Sequence, residues 1–232
     1  MSARLHFIVE GLSEENFVNR TLGPYLGGLN VFADVTMVTT RLGLGRKGKG
    51  GGRSYDHLRQ DLLRRMHQDK NDDARFTTMF DLYALPRDFP GFAAAATKAP
   101  VDRVTELEAA LSKDILNELG YYLPPERFIP YIQLHEFEAL VFADPTKLDC
   151  EFIDHNAAIG RLINLSQQLA PEVIDDGAAT APSKRIIKEI PEYDGCKASA
   201  GPLVADKIGL PTLRARCPHF AEWLAKIEVF GI

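Results

Sequence analysis

Segments with the pattern of β-strands alternate with segments with the pattern of α-helices through the first 145 residues. The strand-like segments are rich in β-branched and aromatic residues, and they are 4-RLHFIVE-10, 31-VFADVTMVTT-40 and 75-RFTTMFDLYAL-85. Between them, residues 13–26 and 55–69 carry apolar side chains at helical intervals. Such alternation is typical of a mostly parallel sheet covered by helices. The sequence therefore predicts an α/β fold.

The rest of the chain extends this pattern and then changes character. A helix is predicted over residues 101–119 and a fourth strand over 127–134, after which helices and loops predominate. We therefore expect a mostly parallel four-stranded sheet with flanking helices. Residues 1–145 would form this α/β domain, and residues 146–232 a helical C-terminal extension packed on the same core.

The composition bears on the cellular location of the protein and on its binding partners. With 45% hydrophobic and 25% charged residues, it is typical of a globular protein with one large core. Its apolar runs are far shorter than the ~20 residues of a membrane helix, and no signal peptide is indicated, so we expect a cytoplasmic protein without membrane contact. The net charge of −5 argues against general coating of nucleic acid but not against one basic patch.

Two acidic residues stand where strands of the predicted sheet end. Glu10 closes the first strand and Asp81 the third, and the carboxyl ends of parallel strands face the ligand crevice of such folds. Mg²⁺ binds through one or two carboxylates and keeps several waters, so this pair is a candidate magnesium or manganese site. Glu14, one helical turn after Glu10, is a candidate third ligand. The alternative is that Glu10 and Asp81 cap the helices after their strands, and that Glu14 is a solvated acid in a first helical turn, where the helix dipole favours it.

A second acidic group follows the predicted fourth strand. The segment 134-LHEFEALVFAD-144 contains His135, Glu136 and Glu138. Glu136 and Glu138 share one face if the backbone there is extended, and they diverge if a helix has begun. His135 is a candidate general base because the ordinary histidine pKa lies near neutrality, with a surface position as the alternative.

The loop 41-RLGLGRKGKGGGRS-54 is basic and rich in glycine. It lacks the Ser or Thr that a P-loop places after its Lys, because residue 50 is Gly. The loop also follows the second strand, whereas a dinucleotide fingerprint follows the first. Its positive charges predict contact with the phosphates of a nucleic acid, and the phosphate-binding candidates are Arg46, Lys47, Lys49 and Arg53. A solvated loop without a ligand is the alternative.

Four segments resemble a known family. The string 8-IVEGLSE-14 resembles the first motif of the Toprim fold, the catalytic domain of topoisomerases, primases and OLD-family nucleases. With it, three longer segments resemble a small bacterial Toprim-like group, domain-of-unknown-function family 4276. They are 79-MFDLYALPRDFPGF-92, 130-PYIQLHEFEALVFAD-144 and 201-GPLVADKIGLPTLRARCPHFAEWL-224. The resemblance covers nearly the whole chain. It implies a Toprim-like fold and a Mg²⁺- or Mn²⁺-dependent site for phosphoryl transfer, in which Glu138 is functional.

One position departs from the Toprim pattern. Typical Toprim sites carry Asp-x-Asp after the third strand, whereas this chain has Asp81-Leu82-Tyr83. Either Asp88 replaces the second aspartate by folding back, or Glu136 and Glu138 supply its oxygen ligands. We therefore predict Glu10, Glu14, Asp81 and Glu138 as catalytic residues, with metal ligands drawn from Glu10, Asp81, Asp88 and Glu136.

These observations support one main function and one alternative. The main hypothesis is a metal-dependent nuclease in genome defence, acting on nucleic acid with an ATPase encoded nearby as partner. The alternative is a non-catalytic Toprim-like subunit that binds nucleic acid or a partner protein. The sequence leaves open whether the chain is an enzyme, whether it forms a homodimer, and whether DNA or RNA is bound.

Overall fold

A mostly parallel β-sheet lies at the centre of the fold. The computed structural model describes residues 2–38, 54–119, 123–174 and 180–232. The strand order is β2-β1-β3-β4, and β5 pairs with β3 beyond β4, every pairing being parallel. The strands are β1 Ala3–Val9, β2 Val31–Met37, β3 Ala74–Asp81, β4 Phe128–Ile129 and β5 Ile132–Gln133.

Helices cover both faces of this sheet. The α-helices are α1 Leu12–Phe17, α2 Gly23–Gly27, α3 Tyr55–Gln68, α4 Phe92–Ala95, α5 Pro100–Leu119, α6 Asn156–Gln168, α7 Pro182–Glu189, α8 Lys197–Ile208, α9 Leu210–Arg216 and α10 Pro218–Glu228. Short 3₁₀ helices join several of them, among them Leu82–Ala84, Phe137–Ala143 and Pro191–Gly195. No helix in the described ranges is long and apolar enough to span a membrane.

The central strand β1 is buried on both faces, which explains its nearly continuous apolar sequence. Leu5, Phe7 and Val9 belong to one hydrophobic cluster. Ile8 belongs to a second cluster, which α3 and α5 complete on the other face. By contrast, β2 is an edge strand, and the side chain of its Phe32 is 56% exposed.

The C-terminal helices form the layer that covers the first face. Trp223 of α10 packs edge-on against Phe7 at 6.1 Å between ring centroids and stacks on Tyr131 at 4.3 Å. Its indole N–H also donates a hydrogen bond to Oγ1 of Thr77 in β3 at 2.9 Å. Residues on both sides of position 145 therefore share one core. The predicted α/β fold, with its parallel sheet, flanking helices and helical C-terminal region, is confirmed.

Two prolines explain where the structure differs in detail from the predicted elements. The helix predicted over residues 13–26 contains a π-helical turn, Val18–Leu22, because Pro24 has no N–H to donate to Arg20. Instead, the N–H of Gly23 bonds to the carbonyl of Val18, five residues earlier. In the same way, Pro130 divides the strand predicted over residues 127–134 into β4 and β5.

Candidate functional site

Glu10 and Asp81 lie side by side at the carboxyl edge of the sheet. Glu10 directly follows β1, and Asp81 is the last residue of β3. These two strands are parallel neighbours, and their last paired residues are Val9 and Met79. The backbone N–H of Glu10 donates to the carbonyl of Met79 at 3.3 Å. The N–H of Asp81 donates in turn to Oε2 of Glu10, also at 3.3 Å. The two central strands thus bring both carboxylates to one place.

Glu14 joins this pair from the first turn of α1. Its side chain is buried, and Oε2 accepts a hydrogen bond from the N–H of Gly11 at 2.9 Å. This is one half of a capping box, a contact that stabilises a helix start. Glu14 is therefore a buried acid that caps α1, and the solvated position that was the alternative for it is wrong. Its charge acts on the carboxylate of Asp81.

The segment after β5 adds Glu136 and Glu138. Asp81 pairs with Gln133, so the chain that follows Gln133 passes the same edge of the sheet. The N–H of Tyr83 donates to the carbonyl of His135 at 2.8 Å and fixes the two segments to each other. Glu136 is extended and a 3₁₀ helix starts at Phe137, so Glu136 and Glu138 belong to different backbone conformations.

Partners from the C-terminal region hold both of these glutamates. The backbone N–H of Ser183, in the first turn of α7, donates to Oε1 of Glu136. The hydroxyl of buried Tyr193 donates to Oε1 of Glu138 at 3.3 Å. Gly201 of α8 leaves room for this contact, because a Cβ there would lie 2.8 Å from the Tyr193 hydroxyl oxygen. The helical C-terminal region thus positions part of the site.

The charges of the four glutamates all act on the carboxylate of Asp81. Burial, followed by the charges of Glu14, Glu10, Glu138 and Glu136, raises its pKa well above the usual value. Its Oδ1 is excluded from solvent and has no hydrogen-bond partner among the described residues. A buried acceptor without a donor is costly, and a bound cation would satisfy it.

Glu138 is perturbed in the same direction. Burial first, and the charge of Glu136 second, raise its pKa to about 7, while Lys197 at the start of α8 opposes this shift. Burial and the neighbouring carboxylates thus raise the pKa values of Asp81 and Glu138, so the ionised state of these two acids needs a compensating positive charge.

The donor set fits a hard divalent cation such as Mg²⁺ or Mn²⁺, because all five groups offer carboxylate oxygens. The side chains do not form a closed coordination shell as they stand. Among the described residues, no three His, Cys, Asp or Glu side chains are close enough together to hold a metal ion. Mg²⁺ commonly keeps several waters and gains phosphate oxygens from its substrate, so an incomplete protein shell is compatible with such a site.

Two other groups of predicted residues lie elsewhere. Asp88 is exposed, and its two carboxylate oxygens accept the N–H of Tyr55 at 3.0 and 3.1 Å. It therefore caps the start of α3 rather than joining Asp81. The basic-loop residues Arg46, Lys47, Lys49 and Arg53 lie outside the described residues.

His135 takes part in the packing behind the site. Its side chain is buried, its backbone has a positive φ of 62°, and Nε2 lies 3.2 Å from the carbonyl oxygen of Glu172. Because a carbonyl only accepts, Nε2 carries the proton in this contact. His135 thus has a left-handed backbone conformation, and the backbone of Glu136 after it is extended.

Sequence reasoning did not find the residues that hold the glutamates. Ser183 and Tyr193 lie 47 and 55 residues from the side chains that they contact, and no motif marks either of them. In the sequence, Tyr83 stands out only because it replaces the second aspartate of the Asp-x-Asp pattern. In the structure, Tyr83 is exposed at this edge of the sheet.

Comparison with known proteins gives a family and no activity. The sequence model of the family described as "Domain of unknown function (DUF4276)" matches residues 9–228, nearly the whole chain. Comparison with curated proteins and with solved structures gave no significant match. The relationship to Toprim domains thus stays a prediction.

Proposed function

The chain belongs to the DUF4276 family, and we propose that it is a metal-dependent nuclease that hydrolyses phosphodiester bonds at its carboxylate cluster. The carboxylate cluster is defined as Glu10, Glu14, Asp81, Glu136 and Glu138. The observation that carries the proposal is Asp81, a partly buried carboxylate on which the charges of four other acids act, and whose solvent-excluded Oδ1 has no hydrogen-bond donor among the described residues. Ionised acids in this arrangement are a binding site for a divalent cation.

Each acid has a distinct part in this proposal. Glu10 and Asp81 would hold the cation, because they come from the two central strands and are linked through the N–H of Asp81. Glu14 stays in place through its bond to Gly11, and Glu138 through its bond to Tyr193. Mg²⁺ or Mn²⁺, when bound, supplies activation of water and neutralisation of phosphate charge. The protein's own contribution is to fix these oxygens on rigid strands and short helices.

The nuclease is proposed to act in genome defence, with an ATPase encoded nearby as partner. This part rests on the resemblance of the four sequence segments to Toprim-like proteins. The basic loop between β2 and α3 would hold the phosphate backbone. Val38 is the last described residue before this loop. Its N–H donates a hydrogen bond to the carbonyl of Val9, so the chain enters the loop at the same edge of the sheet as Glu10.

A second candidate function is a subunit that binds nucleic acid or a partner protein without cleaving. Two observations favour it. Tyr83 occupies the position of the second aspartate, and no closed metal shell exists among the described residues. The two functions differ in one measurable property, which is strand cleavage.

The test is cleavage of labelled DNA and RNA, single-stranded and duplex, with Mg²⁺, Mn²⁺ or EDTA, and with and without the neighbouring ATPase. We expect cleavage that requires the metal and that Glu10→Gln abolishes. Glu126→Gln is a matched control, because Glu126 is exposed and precedes β4 at the opposite edge of the sheet. Cleavage by Glu10→Gln at the parent's rate would refute the proposal, and binding without any cleavage would favour the second function.

A further inference from the structure

We propose that Tyr83 is a platform on which an unpaired nucleobase stacks, so that the substrate of the carboxylate cluster is single-stranded nucleic acid. This inference rests on the proposed function and adds the class of substrate to it. It concerns an exposed aromatic ring rather than the acids themselves.

The ring of Tyr83 is exposed although its backbone is fixed. Its side chain is 52% exposed, whereas that of Leu82 beside it is 2% exposed. Both belong to the 3₁₀ turn Leu82–Ala84, and the bond from the N–H of Tyr83 to the carbonyl of His135 anchors that turn. Leu82 and Leu85 face the core, so this geometry directs the tyrosine outwards. A rigid backbone and only two side-chain torsions mean that little entropy is lost when a ligand covers the ring.

The position of the ring suits a base next to a bound phosphate. Tyr83 follows Asp81 by two residues, and two residues of chain span at most about 7 Å. A phosphate held at the carboxylate cluster would therefore place an adjoining base within reach of the ring. The exposed aromatic surface is also small. Ala84 follows it and the neighbouring leucines are buried, so it matches one planar base rather than the broad contact patch of a protein partner.

The charges around the ring explain why such a platform is needed. The carboxylate cluster repels a polyanion, and the whole chain carries a net charge of −5. Contacts that do not depend on charge would then add to the affinity that the basic loop and a bound cation supply. Stacking of bases on aromatic rings is such a contact, and it tolerates any sequence because every base has a planar face. In a duplex the bases are already stacked inside, so this contact favours a single strand.

The experiment measures binding of fluorescent single-stranded and duplex oligonucleotides by anisotropy across a salt series with Mg²⁺ present, and the strands carry hydrolysis-resistant phosphorothioate linkages so that they stay intact. Tyr83→Ala should weaken single-strand binding by about 5- to 150-fold and leave duplex binding nearly unchanged. The slope of affinity against salt should not change, because no charge is removed. Tyr83→Trp should bind at least as tightly as the parent, and Tyr83→Leu should resemble Tyr83→Ala.

A matched control and a direct readout complete the design. Phe32→Ala removes an aromatic ring of similar exposure, 56%, at the other end of the strands, where it pairs with Arg4 of β1, and should not alter binding. Oligonucleotides with 2-aminopurine at successive positions should lose emission at one position on the parent and at none on Tyr83→Ala. Equal losses on single strand and duplex, parent-like binding by Tyr83→Ala, or the same loss in Phe32→Ala would overturn the inference. If the parent cleaves nucleic acid but Tyr83→Ala binds as the parent does, only this inference fails. If the parent binds neither form, the proposed function fails with it.

Discussion

The backbone N–H of Asp81 donates a hydrogen bond to the Oε2 atom of Glu10 across 3.3 Å. This contact ties the ends of two neighbouring parallel strands together through a carboxylate instead of a carbonyl. It leaves the carboxylate of Asp81 itself among four other acids, where burial and like charges disfavour its ionised form. Carboxyl groups placed so that their ionised forms are disfavoured are more typical of functional sites than of structural ones.

The first prediction is that Asp81→Asn stabilises the protein while it removes activity. A raised carboxyl pKa means that ionisation at neutral pH opposes folding, so a neutral side chain of the same shape should raise Tm by a few degrees in EDTA. The gain should shrink as the pH falls through about 4, the ordinary pKa of an aspartate, because the side chain then becomes protonated in the unfolded state as well. Thermal unfolding and cleavage assays on the same samples measure both effects.

The control for that change is Asp154→Asn, which alters an exposed aspartate in the C-terminal region. It should leave Tm and cleavage as in the parent. A lower Tm for Asp81→Asn at neutral pH, together with undiminished cleavage, would show that Asp81 serves the fold alone.

The second prediction concerns stability against pH and Glu138. Its pKa lies at about 7 in the folded protein against an ordinary value of 4.5. A group whose folded pKa is raised stabilises the fold below its unfolded pKa, and this contribution is lost as the pH rises through the folded value. The metal-free protein should therefore lose stability between about pH 4.5 and 7, by a few kcal/mol from this group. Glu138→Gln should lose less over the same range.

The measurement is chemical denaturation of parent and Glu138→Gln at several pH values in EDTA. Only the difference between the two proteins is informative, since His219 and Glu172 also have raised pKa values and titrate in both. Parallel curves for the two proteins would mean that the pKa of Glu138 is not raised.

Sequence patterns predicted that some residues of the carboxylate cluster would lie together, and they did not predict the position of others. The alternation of strands and helices was enough to bring Glu10 and Asp81 to one edge, because strand ends in a parallel sheet converge whatever the details of packing. No sequence pattern distinguishes Asp88 from the pair Glu136 and Glu138 as the partner of Asp81. That choice depends on where the chain passes after β3 and β5, and the backbone hydrogen bond from the N–H of Tyr83 to the carbonyl of His135 joins those two segments.

The contacts from the C-terminal region could not be predicted for a related reason. Tyr193 reaches Glu138 only because α8 packs beside the segment after β5 and because Gly201 leaves space for the hydroxyl. Such contacts depend on tertiary packing between distant segments, and no local periodicity encodes them.

The third prediction distinguishes a cap from a metal ligand at Asp88. Asp88→Ala removes the acceptor for the N–H of Tyr55 and should cost about 1 kcal/mol, as loss of a helix cap commonly does. For a chain of this size, that corresponds to a fall in Tm of roughly 2 to 4 °C. Cleavage below the new Tm should equal that of the parent. Loss of cleavage with an unchanged Tm would instead assign Asp88 to the metal site.

The fourth prediction is that metal binding strengthens as the pH rises. A cation binds ionised carboxylates, so each proton that the cluster carries must leave first. Since the pKa of Glu138 is about 7, the rise in Tm caused by Mn²⁺ should be small at about pH 5.5 and larger at about pH 8. Glu10→Gln should reduce this rise at every pH, whereas Glu126→Gln should not. A rise in Tm that is independent of pH would place Mn²⁺ away from the carboxylate cluster.

The last prediction tests the basic loop, whose phosphate-binding candidates lie outside the described residues. If Arg46, Lys47 and Lys49 contact phosphates, each contact releases counterions and steepens the dependence of affinity on salt, by roughly 0.7 per contact on single strands and 0.9 on duplex. Replacing all three by Ala should weaken binding of every sequence and flatten the slope by about two to three units. This result would differ from that of Tyr83→Ala, which changes affinity at constant slope. Anisotropy titrations of parent and triple variant across a salt series make the comparison, with thermal unfolding to confirm an intact fold. Identical slopes would mean that the loop does not touch the nucleic acid, and the role of the cluster would then shift towards binding a partner protein.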